Sequence, residues 1–344
     1  MAIVISVIVV NFNGGEYLGR CLESLIAQSF PDFEVILVDN GSTDGSIDNL
    51  PALPENFRII RAEANIGFAR ANNLGASLAS GSWLALLNPD ATATRGWLEC
   101  LLRAVTMRPC YRMVASAQLK MDNPEQLDGV GDCYSIAGYP WRGGYGHSKD
   151  AMPQVGEVFA ACGASAFYPK DAFLAVGGFD ESFFCYVEDV DLGFRLRLVG
   201  EKCQFDPECR VEHAGSGITG QQSDFATFYG VRNTVWTALK NVPWPLLFLV
   251  VPTWTLATSI LYLKVSADRR SSIRRGLKAA FLGLAPIWSA RRVVQNSRSI
   301  DVVTVAKIIS WNLRAHKSHL PDVRPFAACE QSPGLSGRLS RKAR

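Results

Sequence analysis

Phe33-Glu34-Val35-Ile36-Leu37-Val38-Asp39-Asn40-Gly41-Ser42-Thr43-Asp44-Gly45-Ser46 passes from an apolar, β-rich run through a carboxylate into a loop of turn residues. A short apolar run bounded by turn residues reads as a buried strand, and the loop after it is expected to open a helix. The same unit recurs on both sides. Upstream, Ile3 to Val10 is a continuous β-branched run, suited to a central strand covered on both faces. A helix is expected from about Glu16 to Gln28, with Tyr17, Leu18, Cys21, Leu22, Leu25 and Ile26 at helical spacing. Downstream come a strand near Arg58 to Arg61, a helix to about Ser80, and a strand Trp83 to Leu87 that runs into Asn88-Pro89-Asp90. Alternating strands and helices are the pattern of a parallel, doubly wound α/β sheet. Such sheets bind ligands beyond the carboxyl ends of their strands, and Asp39 and Asp90 both stand at such ends.

The 344 residues suffice for one large domain with an appendage. Apolar residues make up 48% and charged residues 19%, which is globular with a slight lean towards a membrane. The net charge of +3 hides an asymmetry: Lys264, Arg269, Arg270, Arg274, Arg275, Lys278, Arg291, Arg292 and Arg298 face a single acid, Asp268, between residues 264 and 298. Nine cysteines without a C-x-x-C pair argue against a disulfide framework or structural zinc and fit a reducing, cytosolic setting. The apolar N-terminus lacks a preceding basic residue and a small-residue cleavage site, so it reads as a strand rather than a signal peptide. No G-x-G-x-x-G follows the first strand and no G-x-x-x-x-G-K-[ST] is present, so a nucleotide would be held by other means.

Asp39 can accept hydrogen bonds from a ribose or a base; alternatively Asp39 or Asn40 closes an Asx-type turn on the backbone of Gly41-Ser42. Asp90 suits a magnesium-type ion, which takes one or two carboxylates and draws its other ligands from phosphates and water; Asp90 or Thr92 could equally cap the helix through Trp97, Leu98, Leu101 and Leu102. Residues 109 to 155 are rich in Gly, Pro and aromatic residues and are expected to form a mobile loop over a cleft, or a surface insertion. Val158 to Tyr168 reads as a strand of small residues that permit a ligand's close approach, and Gly177 to Glu181 as a tight turn. Glu188-Asp189-Val190-Asp191 places three acids at a helix start. Negative charge there is favoured by the helix dipole, but a general base must also be held within reach of its proton. One acid is therefore expected to face the cleft while a neighbour orients the helix. His213 falls in a Gly/Ser-rich stretch, Val211 to Gly217, where it could contact a metal or a pyrophosphate.

Taken in order, Val9-Val10-Asn11-Phe12-Asn13, Val38 to Ser46, Asn65-Ile66-Gly67-Phe68-Ala69, Asn72-Asn73-Leu74-Gly75, Asn88-Pro89-Asp90, Gly177 to Glu181 and Glu188 to Asp191 resemble the inverting GT-A glycosyltransferases of family 2, in particular their rhamnosyltransferase-like branch. The resemblance covers about residues 3 to 235. It implies a GT-A fold, an α/β doubly wound mixed sheet; the apolar and basic residues beyond it read as a C-terminal membrane-associated helical segment. The resemblance further implies that Asp189 is the catalytic base, that Asp90 and His213 bind Mg2+ or Mn2+, and that Val9, Asn11, Asp39, Asn65, Asn73, Asn88, Gly163 and Ala164 contact the donor. Glu188 and Arg232 are candidates for acceptor or phosphate contact; Arg232 could instead pair with a surface acid. Asn88-Pro89-Asp90 departs from the family's metal motif in offering one acid rather than two or three.

The implied activity is inverting transfer of a sugar, rhamnose being the favoured one, from a nucleotide-diphospho-sugar donor to a lipid-linked or glycan acceptor in cell-surface polysaccharide synthesis. No nucleic acid is expected as a partner. Two other readings stand beside it: a non-catalytic, membrane-associated nucleotide-sugar scaffold, and a sugar nucleotidyltransferase, which would want a basic Gly-rich loop where Asn11 to Glu16 has none. The expected organisation is a catalytic domain at 1–235, hydrophobic and basic membrane-associated helices at 236–320 and a disordered tail at 321–344. Pro243 to Leu263 carries no charge and could span a bilayer. One crossing, however, would send the basic 264–298 segment outside, against the positive-inside tendency. A re-entrant or in-plane arrangement at the cytoplasmic membrane face satisfies both observations, and a buried helix of the soluble fold is the rival.

Overall fold

β1, Ile5–Asn11, is buried along its whole length because layers cover both of its faces. The computed structural model describes residues 3–215 and 223–327. After β1 come α1 (Gly15–Ile26), β2 (Phe33–Asp39), β3 (Phe57–Arg61), α2 (Phe68–Leu78), β4 (Trp83–Leu87), β5 (Ala91–Ala93) and α3 (Trp97–Met107). The middle contributes β6 (Met113–Lys120), β7 (Leu127–Gly129), β8 (Asp132–Tyr134), β9 (Pro140–Arg142), β10 (Gly156–Val158), β11 (Ser165–Pro169) and α4 (Lys170–Ala175). The chain continues with α5 (Glu188–Leu198), β12 (Cys203–His213), α6 (Asp224–Asn241), α7 (Trp244–Lys264), α8 (Ala267–Leu282), α9 (Leu284–Ser297) and α10 (Val302–Ile308).

The main sheet runs β10-β12-β6-β11-β4-β1-β2-β3, with β5 added to β12 and β7 to β6. β4, β1, β2 and β3 are mutually parallel, and β11 lies antiparallel between β4 and β6, so the sheet is mixed. Leu18, Leu22 and Leu25 of α1 and Trp97, Leu98 and Leu101 of α3 pack on one face. Ala69, Ala71 and Ala76 of α2 join the core on the other. A third core, including Phe159, Phe194, Leu246, Val250 and Val305, fastens the C-terminal helices to the sheet domain.

Five expectations need correction. No helix follows the 40–46 loop; the chain reaches β3 through turns. Gly41 (φ 77°) passes so close to Ala64 that a Cβ would lie 2.7 Å from its carbonyl carbon, and Pro51 and Pro54 disfavour a helix between the loop and β3. The 109–155 stretch is no loose flap, because its small and aromatic residues pack: Tyr134, Trp141, Asp128 and Asp132 are all buried, and β8 and β9 form a hairpin. His213 ends a strand rather than sitting in a loop; Ser216 and Gly217 of that stretch lie outside the described residues. Cys100 and Cys209 form a disulfide, Cα atoms 5.4 Å apart, across 109 residues. Spacing could not show it, since only the packing of α3 on β12 brings the two together. Finally, residues 321–327 are tied down: Glu157 and Arg324 exchange backbone hydrogen bonds of 2.7 and 2.8 Å, and Phe326 packs on Tyr111. The rest of the expected tail lies outside the described residues.

The expected 235/236 boundary falls within the continuous helix α6. α7 is long and apolar enough to cross a membrane by length and composition alone. Leu246, Leu247 and Val250 are buried in the third core, Thr253 donates to the Ile136 carbonyl, and Thr258 meets the Tyr139 hydroxyl. Phe248, Leu256 and Leu263 stay exposed on its other side.

Candidate active site

Beyond the carboxyl ends of β1, β2 and β4 lies a cavity of about 700 Å³, lined by Asn40, Asn65, Asn88, Asp90, Asp132, Arg142, Glu188, Asp189 and His213 among others. Gly163 and Ala164 also line it. The amides are interlocked: Asn40 Nδ2 donates to Asn65 Oδ1 (3.0 Å), which also accepts from the Gly67 N–H (2.9 Å), while Asn40 Oδ1 accepts from the Ile66 N–H (2.9 Å). Side chains with few remaining freedoms make a preformed wall, as ligand sites usually have.

Four of the residues expected to contact the donor do not line this cavity. Val9 points into the α1 side of the core while Val10 lines the cavity, because successive strand residues face opposite ways. Asn11 donates to Ser42 Oγ and Ser46 Oγ, bracing the neighbouring loop. Asp39 accepts from the Ser42 N–H at 3.2 Å, the Asx-type turn, and does not line the cavity. Asn73 bonds both the N–H and the carbonyl of Phe179 at 2.8 Å and so braces the 177–181 turn. Arg232 is not on the cavity wall either; it donates to the carbonyls of Ser182 and Phe183 rather than meeting a surface acid.

Asp189 occupies the first turn of α5, and its oxygens accept from the Gly163 N–H and the Val190 N–H, each at 2.8 Å. Asp191 is fully buried and bonded to Arg195 (2.9 Å), Lys240 (2.8 Å) and Asn241 (2.8 Å), which anchors the helix. Two acids of one motif are thus divided between cleft and anchor. Glu188 is buried with Oε2 unpartnered; burial and the nearby Asp189 push its carboxyl well above the usual range.

Asp90 lies in the turn between β4 and β5. Helix α3 starts after Gly96 without a side-chain cap, so neither Asp90 nor Thr92 caps it. β12 runs antiparallel to β5 with His213 opposite Ala91, which sets His213 Nε2 3.2 Å from Asp90 Oδ1. That nitrogen is buried and makes no aligned hydrogen bond. Behind it, Nδ1 lies 2.8 Å from Asp128 Oδ2, and Arg142 donates to the same oxygen at 2.5 Å. Burial opposes charge on His213, but the carboxylates of Asp128 and Asp90 outweigh it and raise its pKa. For Asp128 burial is likewise outweighed, by Arg142 first, and its carboxyl is held below the usual range. A buried carboxylate beside an imidazole, itself oriented by a second carboxylate, is a donor set that could hold a divalent cation.

Asp132 stands beside Asp189: carboxylate oxygens of both and the Cys162 sulfur lie within 4.8 Å of one another. Burial, reinforced by the Asp189 charge, drives the Asp132 carboxyl well above its ordinary range. Protonated, it can donate a hydrogen bond towards Asp189. Asp128, Asp132 and Arg142 are absent from the sequence-derived site. The signal for the two acids was Leu127-Asp128-Gly129-Val130-Gly131-Asp132, acids in an otherwise apolar and glycine run, which become costly to bury unless paired.

Residues 6–173 match the profile of glycosyl transferase family 2. Over 307 residues the chain is 29% identical to N-acetylglucosaminyl-diphospho-decaprenol L-rhamnosyltransferase of Mycobacterium tuberculosis, spanning 81% of this chain and 98% of that one. Among solved structures, GalNAc-T7 with UDP, GalNAc and Mn2+ superposes with a TM-score of 0.54 at 18% identity, over 70% of this chain and 48% of that one. The mannosyltransferase PcManGT of Pyrobaculum calidifontis, with GDP-Man and Mn2+, gives 0.51 at 16% identity, over 88% of this chain and 86% of that one. These likenesses identify the mixed sheet as a GT-A fold.

Proposed function

This chain is a glycosyltransferase of family 2, and from that premise we propose that it transfers a sugar, rhamnose by analogy with its mycobacterial relative, from a nucleoside diphosphate donor to a lipid-linked glycan with inversion at the anomeric carbon. The observation that carries the reading is Asp189: a carboxylate on the cavity wall, fixed by two backbone N–H groups, on a helix anchored by Asp191.

Asn40, Asn65 and Asn88 bind and orient the donor through neutral amides. Gly163 and Ala164 leave room for the sugar, since a Cβ at Gly163 would come within 3.3 Å of Asp189 Oδ2. Asp189 accepts the proton of the acceptor hydroxyl as that oxygen attacks the face opposite the leaving group. Asp132, protonated, holds the base in line, and Glu188 faces the acceptor side. Asp90 and His213 would hold Mg2+ or Mn2+; the chemistry supplied there is neutralisation of charge on the departing diphosphate.

The acceptor reading fits a peripheral position at the cytoplasmic membrane face. α7 packs against the sheet domain along one side and exposes Trp244, Phe248, Leu256 and Leu263 on the other, while Arg274, Arg275, Lys278 and Arg292 lie exposed on the next two helices. An apolar face beside basic residues suits a helix lying in the plane of an anionic surface. The catalytic domain then runs from residue 1 to about 235 and the membrane-associated helices to about 320.

The test is titration of purified protein with a panel of nucleoside diphosphates and their sugars, with Mg2+ or Mn2+ and again with chelator. Metal-dependent binding that prefers one nucleotide is expected; folded protein that binds none would remove the reading.

A further inference from the structure

The residues just before α5 adopt a backbone that side chains normally avoid. Phe184 (φ 66°, ψ −67°), Tyr186 (φ 66°) and Val187 (φ 68°, ψ −1°) all have positive φ. The Cys185 N–H donates to the Phe183 carbonyl at 2.8 Å, closing around Phe184 the rare, strained form of the γ-turn. A β-branched residue such as Val187 is an outlier in the left-handed region. Such conformations persist only where the surroundings over-determine them.

The surroundings here are two adjacent side chains of α6. Asn233, fully buried, directs Nδ2 at the carbonyls of Phe183 (3.0 Å), Cys185 (3.0 Å) and Tyr186 (2.7 Å). Its Oδ1 accepts from Arg232 Nε (2.8 Å), and Arg232 Nη2 donates to the carbonyls of Ser182 (2.9 Å) and Phe183 (2.8 Å). The Arg232 guanidinium is held over the rings of Trp236 and Tyr229. Downstream, the Val187 carbonyl accepts from the Asp191 N–H, so the strained loop leads directly into the turn that bears Asp189. Upstream, the Phe184 carbonyl accepts from the Ala69 N–H, and Gly67 has no room for a Cβ against the Phe184 ring. The loop is therefore the part that joins the donor-side wall to the base.

We infer that Asn233 is a positioning residue for the reaction: by holding three carbonyls of the strained 183–187 loop it sets Asp189 relative to the donor, so that turnover depends on a helix outside the segment matched by the family profile. The inference rests on Asp189 being the base. It assigns Asn233 no contact with substrate, and so requires an effect on kcat without an equal effect on donor binding.

The experiment compares full-length Asn233→Ala, Asn233→Asp and Asn233→Ala/Val187→Gly with the unaltered chain and with Asp189→Asn, after checking each fold by circular dichroism. Asn233→Asp keeps the shape but cannot donate. Both single variants are expected to lose at least about tenfold in kcat while nucleoside diphosphate affinity stays within about twofold. Glycine at 187 adopts positive φ without steric cost, so the double variant is expected to recover most of the loss. Unchanged kcat in a folded Asn233 variant, loss of donor affinity in proportion to kcat, or no recovery in the double variant overturns the inference. Should neither single variant fold, a double variant that folds and turns over supports it, and one that does not turn over overturns it. Full activity in Asp189→Asn would instead remove the base itself, which keeps the two failures apart.

Discussion

Two sets of residues lining the cavity differ in kind. On the donor side, Asn40, Asn65 and Asn88 offer neutral amides at the ends of parallel strands, with Asn40 and Asn65 already tied into their loops. Asp90, Asp132, Arg142, Glu188, Asp189 and His213 instead concentrate ionisable groups, most of them buried, around one another. Neutral, preorganised groups suit binding that must be reversible. Buried charges shift one another's proton affinities, which is what a site needs in order to do chemistry near neutral pH. The contrast teaches that binding and turnover should separate under mutation.

The largest expected effect tests the charged set. Asp189→Asn keeps the shape and removes the base, so kcat should fall about 10²- to 10⁴-fold while donor affinity is retained; steady-state kinetics beside calorimetric titration checks both. Undiminished turnover would break the contrast at its centre. A smaller effect sharpens it: Asp128→Asn leaves His213 without its orienting carboxylate, and metal affinity should drop about 10- to 100-fold, read as the Mn2+ concentration that restores donor binding after chelation. An unaltered Mn2+ requirement would detach His213 from the metal.

The smallest effect concerns the anchor behind the charged set. Burial raises the Asp180 carboxyl pKa, but the ammonium of Lys240 outweighs it and lowers the value to about 2 from 3.8. The folded state therefore binds this proton less readily than the unfolded one, and the stabilisation is complete above about pH 4. As pH falls through 3.8 it declines, and by about pH 2 it is gone, a change of roughly 2 kcal/mol. Denaturant melts of the unaltered chain and Asp180→Asn should converge across that window; parallel curves would show that the pair contributes nothing there.

Much of the architecture was legible because it is periodic. The apolar runs at β1, β2 and β4 read as strands, which puts Asp90, three residues past β4, at the sheet's carboxyl edge, where it lines the cavity. Asp189 stood out because three acids crowd a helix start, where the dipole favours negative charge and one acid is free to face a cleft while a neighbour orients the helix. Side-chain direction was harder. Val9 and Val10 are equivalent in composition, and only the strand's covering decides which one meets the cavity. Asp39 was legible as a strand-end acid, yet its bond to Ser42 depends on the course of the loop. The 109–155 stretch misled because glycine and aromatic richness describes a mobile loop and a tightly packed wall equally well.

Sequence alone therefore determined the strand-and-helix alternation, the acids at the strand ends and the acid cluster at the head of α5, all of them properties of neighbouring residues. Tertiary structure decided the rest. Asp128 behind His213, Asp132 beside Asp189, Cys100 against Cys209 and Asn233 beneath the strained loop are joined across 47 to 109 positions of chain only through folding. No local propensity encodes such meetings, because the free energy that selects them comes from burying both partners at once.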